Sequence, residues 1–371
     1  MAESMTLQLG VAAMVCTLVL LADSAAMGQS PVDHPPTAQT PAVTPPAVAQ
    51  PAEQLSDADA QAQITAIFEG LDANPPTVPE SQQRRTFLRM LDTLCHYESA
   101  TNSPPIRAAF NARIARALAE IAGTAPTGSR PAVTMLYNMG VIVRTPTVTI
   151  GFDLVRGPMH ISDDVSRGFV SQCDVLFITH AHGDHASEWV RDEFLAQGKP
   201  VVAPLSAWPE DARLTRLDRH AQLRQKLAVQ SGKRTLEVIV YPGHQGDLEN
   251  NVYCVYTPEG SGIMQTGDQA NHDDFAWIDR IKDGPDKVDV LICNCWSFNI
   301  ARLVRGVNPR LVLPTHHLEM SHEPSHRETY EQTYGRYDGT NTSFDSREGD
   351  GYQGYPMSAL AWGETISLPE P

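Results

Sequence analysis

The stretch Thr179-His180-Ala181-His182-Gly183-Asp184-His185 decides how the rest of this chain is interpreted. Three histidines and one carboxylate fall within six residues, directly after the apolar run 175–178. Imidazole and carboxylate groups are the ligands that zinc and similar divalent metals prefer. One tetrahedral metal that keeps a water needs only three protein ligands, so four ligand-type residues here point to two metals.

Further ligand-type residues follow three later apolar runs of the chain. His244 follows the run 238–243, Asp268 follows 263–267, and His316 follows 311–315. Open α/β and mixed sheets usually place their sites at the carboxyl ends of strands. The pattern therefore predicts that these residues meet the first cluster at one edge of a sheet.

This set of residues resembles the metallo-β-lactamase superfamily. The resemblance covers residues 132 to 368 and includes Gly151-Phe152-Asp153 and the closing run 361–366. It implies an α/β fold, a four-layer αββα metallo-β-lactamase sandwich, which in this chain is preceded by a small helical segment. The branch it is most similar to is that of lactonase-like and uncharacterised metal-dependent hydrolases.

The resemblance also implies roles for the ligand-type residues. His180, His182 and His244 would hold a first metal, and Asp184, His185 and His316 would hold a second. Asp268 would bridge the two metals. Asp184 would also be the catalytic residue that orients the attacking hydroxide and takes part in proton transfer. The expected cofactors are two divalent metal ions, zinc first, with iron or manganese as alternatives. The competing interpretation is a structural site or a fold without metal, but a closed structural zinc site uses four ligands rather than seven.

The function that follows is a binuclear metal-dependent hydrolase. A hydroxide bound by two metals would cleave an ester, lactone, amide or phosphoester bond of a small molecule. Two alternatives stay open, a nuclease or phosphodiesterase of the same superfamily and a non-catalytic metal-binding or scaffold protein. The net charge of −16 disfavours nucleic acid as a partner, because the phosphate backbone is bound through basic surfaces. The resemblance also disfavours β-lactam hydrolysis, because the antibiotic-hydrolysing members generally lack the bridging Asp that Asp268 would supply or replace other ligands.

Several residues near the cluster are secondary candidates. His317 competes with His316 as a ligand, and Asp153 is expected to support the metal ligands from behind. Substrate contact, proton donation or an ordinary polar loop are the alternatives for Glu319, His322 and His326. Trp296 and Phe298 either line a pocket or pack in the core.

The amino-terminal third predicts export followed by a helical segment. Residues 1–27 are interpreted as a signal peptide, with an uncleaved anchor as the alternative. We expect a Pro- and Ala-rich disordered linker at residues 28–54, a helical segment at 55–128, and the metallo-β-lactamase-fold domain at 131–371. We therefore expect an exported protein, periplasmic or secreted, with no membrane span beyond this segment. The oligomeric state is left open.

Patterns elsewhere give finer expectations, and Ser56-Asp57-Ala58-Asp59 is typical of a helix start. Strand-like runs precede the motif as hairpins and alternate with helices after it, and helices are predicted at 186–197, 211–229, 274–281 and 326–334. The six arginines of the helical segment are expected on a solvated helix face (Arg84, Arg85, Arg89, Arg107, Arg113 and Arg116). Five cysteines follow the signal segment (Cys95, Cys173, Cys254, Cys293 and Cys295), an odd number that cannot all pair within the chain. Cys173, Cys254 and Cys293 lie in or beside apolar runs and are expected to be buried free thiols.

Overall fold

The fold was examined in a computed structural model of the chain. It describes residues 55–369, apart from 97, 124–125, 127, 218–223, 298, 321, 324–326, 328 and 331–355. The predicted signal peptide and linker lie outside the described residues, as do the candidates Phe298 and His326. Most of the predicted helix at 326–334 also lies outside them. The described residues belong to one unit of contacts that spans Pro46–Pro371.

Helices and strands alternate through the described ranges. The α-helices are α1 (Asp57–Ala73), α2 (Gln82–Cys95), α3 (Pro104–Gly123), α4 (Asp163–Gln172), α5 (Glu188–Ala196), α6 (Phe275–Ile278) and α7 (Ile300–Val307). The first strands are β1 (Ala132–Tyr137), β2 (Gly140–Arg144), β3 (Thr149–Phe152), β4 (Val175–Phe177), β5 (Val201–Pro204) and β6 (Thr215–Leu217). The later strands are β7 (Gln225–Ser231), β8 (Arg234–Gln245), β9 (Leu248–Tyr256), β10 (Gly262–Gln265), β11 (Val290–Asn294), β12 (Leu311–Thr315) and β13 (Thr365–Ser367). Short 3₁₀ helices occupy Glu98–Asn102, His272–Asp274 and Ile281–Asp283.

The strands form two mixed sheets. The first sheet has the order β13-β1-β2-β3-β4-β5-β6, and the second sheet has the order β12-β11-β10-β9-β8-β7. In the first sheet, β13 to β3 pair antiparallel and β3 to β6 pair parallel. In the second sheet, β7 to β10 pair antiparallel and β10 to β12 pair parallel. The predicted hairpins before the motif are the β1–β2 and β2–β3 pairs.

The two sheets pack face to face. Alternate residues along their strands point into the space between the sheets and form an apolar core. Phe152 and Phe177 of the first sheet stack with ring centroids 5.4 Å apart, and Phe177 contacts Tyr253 of the second sheet at 5.2 Å. Helices α6 and α7 cover the outer face of the second sheet, and α3, α4 and α5 cover that of the first. The predicted four-layer αββα sandwich is confirmed.

The amino-terminal helices share the core of the first sheet. Ile64 of α1, Leu88 of α2 and Phe110 of α3 are buried in the same cluster as Leu176 of β4. Helix α1 begins where the sequence predicts it, since the Ser56 hydroxyl accepts a hydrogen bond from the Asp59 backbone N–H at 3.2 Å. Among the described residues, no helix is both long and apolar enough to span a membrane.

The predicted helix at 211–229 is wrong. The described part of this range contains β6 and the start of β7, which forms a hairpin with β8. Buried and exposed positions alternate along β7, and Gly232, at φ +60°, lies in its two-residue loop. Helix α7, at 300–307, was not predicted at all.

The strands bring the ligand-type residues to one edge of the sandwich. His244 lies near the carboxyl end of β8, Asp268 follows β10, and His316 follows β12. Strands β8, β10 and β12 run in the same direction within the second sheet. Both β8 and β10 are antiparallel to β9, and β12 is parallel to β10 through the intervening strand β11. The motif 180–185 follows β4 of the first sheet, so both sheets contribute to the site.

Candidate metal centre

Six of the seven predicted ligands fall into two groups of converging atoms. His180, His182 and Asp268 form the first group, and Asp184, His185 and His316 form the second group. Within each group, one ligand atom of every residue lies within 4.8 Å of the others. His180 and His182 of the motif thus lie in one group, and Asp184 and His185 lie in the other.

The Asp268 carboxylate lies between the two groups. Its Oδ2 is 3.7 Å from His180 Nε2 in the first group, and its Oδ1 is 3.3 Å from His185 Nε2 in the second. Its Oδ2 is also 3.8 Å from His316 Nε2. This is the position that a bridging ligand needs.

The donor set fits divalent metal ions. His180, His185 and His316 are buried, and their Nε2 atoms have no hydrogen bond of normal geometry among the described residues. Unpaired polar atoms in a buried position carry a free-energy cost, and a bound cation would remove it. Nitrogen and carboxylate ligands bind zinc at about 2.0–2.2 Å, so gaps of 3.3–3.8 Å between facing nitrogen and oxygen atoms are of the right size to hold an ion between them.

Electrostatics set the protonation of most of these groups in the form that a ligand requires. Burial lowers the pKa of His180 to about 3, which keeps that imidazole neutral. Burial alone would raise the pKa of Asp268, but the imidazoles of His185 and His316 outweigh it and hold that pKa well below its usual range. Burial opposes the charge of His185, yet Asp268 and Asp153 raise its pKa well above the ordinary value. Metal binding at His185 would therefore release a proton.

Asp153 supports the second group from behind, as predicted. Its Oδ2 lies 3.0 Å from His185 Nδ1 and accepts a hydrogen bond from Thr179 Oγ1 at 2.7 Å. Its Oδ1 accepts from the Thr179 backbone N–H at 2.8 Å. The residue is fully buried at φ +45°, a backbone conformation that Asp tolerates better than most residues. Asp153 thereby fixes both the His185 ring and the start of the motif.

Other supporting contacts were not predicted. Asn138 Nδ2 donates to Asp184 Oδ2 at 2.8 Å, and Gln245 Nε2 donates to Asp268 Oδ2 at 3.0 Å. Asn294 Nδ2 also donates to the Asp268 carboxylate. Amide side chains at turns and strand ends are too common for a single sequence to mark these three.

His244 is the predicted ligand that neither group contains. Its Nδ1 lies 2.8 Å from Asp274 Oδ1, and its backbone N–H donates to Asp274 Oδ2 at 2.8 Å. A carboxylate at Nδ1 leaves Nε2 as the atom available to a metal. The assignment of His244 to the first metal stays a prediction.

In the loop after β12, the side chains of His316 and His317 point to different surroundings. His316 and Leu318 have φ +67° and +57°, and this turns neighbouring side chains in different directions. Neutral His317 donates from Nε2 to the Leu360 carbonyl at 2.9 Å, and burial lowers its pKa to about 4. His317 belongs to neither ligand group, whereas His316 belongs to the second.

His322 and Glu319 form a hydrogen-bonded pair beside the second group. His322 Nδ1 lies 2.8 Å from Glu319 Oε2, and Tyr137 donates its hydroxyl to Glu319 Oε1 at 3.1 Å. The hydrogen bond to Glu319 raises the pKa of His322. The half-buried Trp296 ring lies 4.7 Å from His316 and 5.3 Å from His322, so it faces the site rather than the core.

A cavity of about 470 Å³ adjoins the second group. Small-molecule sites usually have volumes of about 300–1,000 Å³, so this space suits a small ligand. Its lining residues are Tyr137, Val155, Arg156, Gly157, Pro158, Gly183, Asp184, Ser187 and His322. Asp184 connects it directly to the candidate metal centre.

The chain is similar to several solved protein structures. No protein-family model matches the chain, and no curated protein matches it. Igni18, described as a novel metallo hydrolase from Ignicoccus hospitalis, has 13% identity, and the match covers 65% of this chain and 100% of that one at a TM-score of 0.45. The metallo-β-lactamase fold protein YhfI from Bacillus subtilis has 12% identity, with 65% and 100% covered and a TM-score of 0.43.

A third similar structure belongs to a different reaction class. CmlA from Streptomyces venezuelae, described as a diiron β-hydroxylase, has 15% identity, with 66% of this chain and 55% of that one covered at a TM-score of 0.44. All three TM-scores lie below 0.5, so none of these similarities carries an argument about activity. The predicted resemblance to the metallo-β-lactamase superfamily is confirmed at the level of the fold, by the four layers and by the position of the motif at their edge.

Proposed function

We propose that this protein is a hydrolase that uses two divalent metal ions, with zinc as the expected metal, to cleave an ester, lactone, amide or phosphoester bond of a small molecule. The observation that carries the proposal is the arrangement of two three-residue ligand groups with the Asp268 carboxylate between them. Bound metal ions would supply a water of lowered pKa and an electrophile for the substrate oxygen.

The residues of the chain would bind and orient the reactants. Asp184 lines the cavity, and Asn138 holds its Oδ2. Its pKa is held below the usual range by the His316 and His185 imidazoles, although burial acts in the opposite direction. Asp184 therefore stays ionised and can accept a hydrogen bond from the attacking water. Glu319 holds His322 in place as a second polar group at the cavity wall.

The decisive experiment combines metal counting with a substrate panel. The purified protein is expected to contain two metal ions per chain by elemental analysis. It is expected to hydrolyse at least one of 4-nitrophenyl acetate, an acyl homoserine lactone, a 4-nitroanilide and bis(4-nitrophenyl) phosphate. Metal without turnover on a wider panel would favour the scaffold alternative, and a folded protein that binds no metal would end the proposal.

Asp184→Asn tests the catalytic role directly. The amide keeps the shape of the side chain but cannot serve as an anionic ligand, so we expect kcat/KM to fall by about 10²-fold or more. Asp164→Asn is the matched control, because the Asp164 side chain is 100% exposed and lies on helix α4. Equal activity of the two variants would remove Asp184 from the mechanism.

Export to the periplasm or to the medium is part of the same proposal and rests on the composition of residues 1–27 alone. Fractionation of cells that produce the full chain tests it. Recovery of the unprocessed protein in the cytoplasmic fraction would contradict it.

A further inference from the structure

Among the described residues, the wall of the cavity beside the second ligand group contains one guanidinium, that of Arg156. The loop that carries it, 154–160, follows β3 and Asp153. The cavity is also lined by Gly183 and Asp184 of the motif and by Ser187, the N-cap of α5. Val155 and Pro158 add apolar surface beside it. A ligand in this space would therefore meet a cation, a short apolar wall and the candidate metal centre.

The Arg156 guanidinium is held in place by three contacts. Its Nη2 pairs with Asp163 at 2.7 Å, its Nε donates to the Ile161 carbonyl at 3.1 Å, and its Cζ lies 4.9 Å above the centre of the Trp189 ring. These contacts fix the group before a ligand arrives, which reduces the entropy cost of binding. In the described part of the chain these contacts use Nε and Nη2, which leaves Nη1 for a ligand.

The charge of Arg156 is only partly compensated. The Asp163 carboxylate is 47% exposed and the Arg156 side chain is 31% exposed, so water screens their attraction. Apart from Asp184, which belongs to the ligand groups, no other carboxylate lines the cavity in the described part of the chain. The protein has a net charge of −16, so as a whole it repels anions. A fixed cation in the cavity would attract an anionic ligand to this place.

We propose that this cavity binds a carboxylate of the substrate at Arg156 while the bond to be cleaved lies at Asp184. The inference rests on the proposed hydrolase function and narrows its substrates to small organic acids that also carry an ester, amide or lactone. Arg is suited to this role because its guanidinium stays charged, and the remaining Nη1 can donate a charge-assisted hydrogen bond to a carboxylate.

Binding can be measured without turnover. Wild-type protein is titrated by calorimetry with 4-phenylbutanoate and with the matching neutral amide, 4-phenylbutanamide. We expect the acid to bind about 10-fold more tightly or better, and Arg156→Gln to remove most of that difference. A carboxylate that binds only the metal ions would keep the same acid-to-amide ratio in Arg156→Gln, and this result would overturn the proposal. Arg156→Lys serves as a second variant if Arg156→Gln does not fold, and an intermediate ratio is expected for it.

Asp163→Asn separates a binding role from a bracing role. Removal of the Asp163 charge should make the electrostatic potential at Arg156 more positive. The acid should therefore bind two- to tenfold more tightly, while the affinity for the amide should not change. If Arg156 only braces its loop, Asp163→Asn and Arg156→Gln break the same ion pair and should weaken both ligands in the same direction. That common direction would contradict the proposed subsite.

A turnover arm distinguishes failure of this inference from failure of the hydrolase proposal. The substrates are the 4-nitrophenyl monoester of glutaric acid and neutral 4-nitrophenyl butyrate. Cleavage of both with equal effects of Arg156→Gln would refute the subsite and leave the hydrolase proposal intact. Arg156-dependent acid binding without any cleavage would support the subsite and count against hydrolysis.

Discussion

At the scale of single residues, Asp153 holds one end of the ligand motif in place although it is not itself a candidate ligand. It joins His185 Nδ1 and both the backbone and the hydroxyl of Thr179. A carboxylate behind a ligating imidazole fixes the ring and increases its basicity. The position of His185, and through Thr179 that of the motif, thus depends on one buried side chain.

Asp153→Asn is expected to weaken metal binding more than it changes the fold. Asn also tolerates the positive φ of this position, but its amide replaces one acceptor oxygen with a donor, so one of the three contacts is lost. We expect metal affinity to fall by about 10- to 100-fold in a chelator competition assay. Asp174→Asn is the control, because Asp174 also accepts a backbone hydrogen bond, from Thr149 at 2.7 Å, but at an exposed position. An unchanged affinity in Asp153→Asn would show that the His185 ring needs no such support.

The cysteines give a second prediction at this scale. All five described cysteines are buried and outside any disulfide. This confirms the expectation for Cys173, Cys254 and Cys293, which rested on their apolar surroundings. Burial raises the pKa of Cys173 and of Cys254 to about 12, so these thiols stay protonated well above neutral pH.

We therefore expect at most one thiol to react with a disulfide reagent in the native full-length chain, since Cys16 lies outside the described residues. The rate at which the five buried cysteines are labelled should stay low and should not increase between pH 7 and pH 9, the range in which an ordinary exposed thiol becomes reactive. All six should react after denaturation. Rapid labelling of two or more native thiols would contradict this burial.

At the scale of elements, helices α2 and α3 hold the closing segment of the chain through buried charges. Arg84 is fully buried, pairs with Glu364, and donates to the Ala359 carbonyl at 2.7 Å. Arg113 is also buried and donates from Nε to the Trp362 carbonyl at 3.2 Å. The expectation of a solvated arginine face is wrong for these two residues. The partners that they have in the closing segment are more than 240 positions away in sequence, and helical periodicity cannot reveal them.

Arg84→Met should destabilise the protein strongly. The substitution keeps an apolar stem but leaves Glu364 and Glu80 buried with one cation fewer, although Arg113 still lies 3.4 Å from Glu364. We expect the free energy of unfolding to fall by about 3 kcal/mol in denaturant titration. Arg213→Met, at an exposed pair with Asp211, is the control and should cause no measurable change. Comparable small effects of both substitutions would mean that the buried pair does not hold the helices to the sheet.

At the scale of the whole molecule, the candidate centre connects the two sheets. His180, Asp184 and His185 follow the first sheet, whereas Asp268 and His316 follow the second. Metal bound by both sets would link the sheets at their common edge. Binding to the folded chain alone stabilises it by an amount that grows with the ratio of free metal to Kd.

Metal removal should therefore lower global stability. Zinc at about 100 to 1,000 times its Kd is expected to add roughly 3–4 kcal/mol relative to chelator-treated protein, measured by denaturation with and without metal. Asp268→Asn should lose most of this increment, because Asp268 contacts both groups. A stability that does not depend on metal would argue against a centre that joins the sheets.

The sequence by itself determined the layered fold, the first helix boundary at Ser56, and six ligand-type residues that converge. These features follow from short-range patterns, namely ligand spacing after an apolar strand, strand alternation and a capping hydroxyl. Only the tertiary structure decided that His317 faces Leu360, that Asp274 holds His244, and that 211–229 contains strands rather than a helix. Each of these depends on a partner that is distant in sequence or on a neighbouring strand. A local pattern cannot specify such a partner, because several backbone arrangements satisfy the same local preferences until packing selects one.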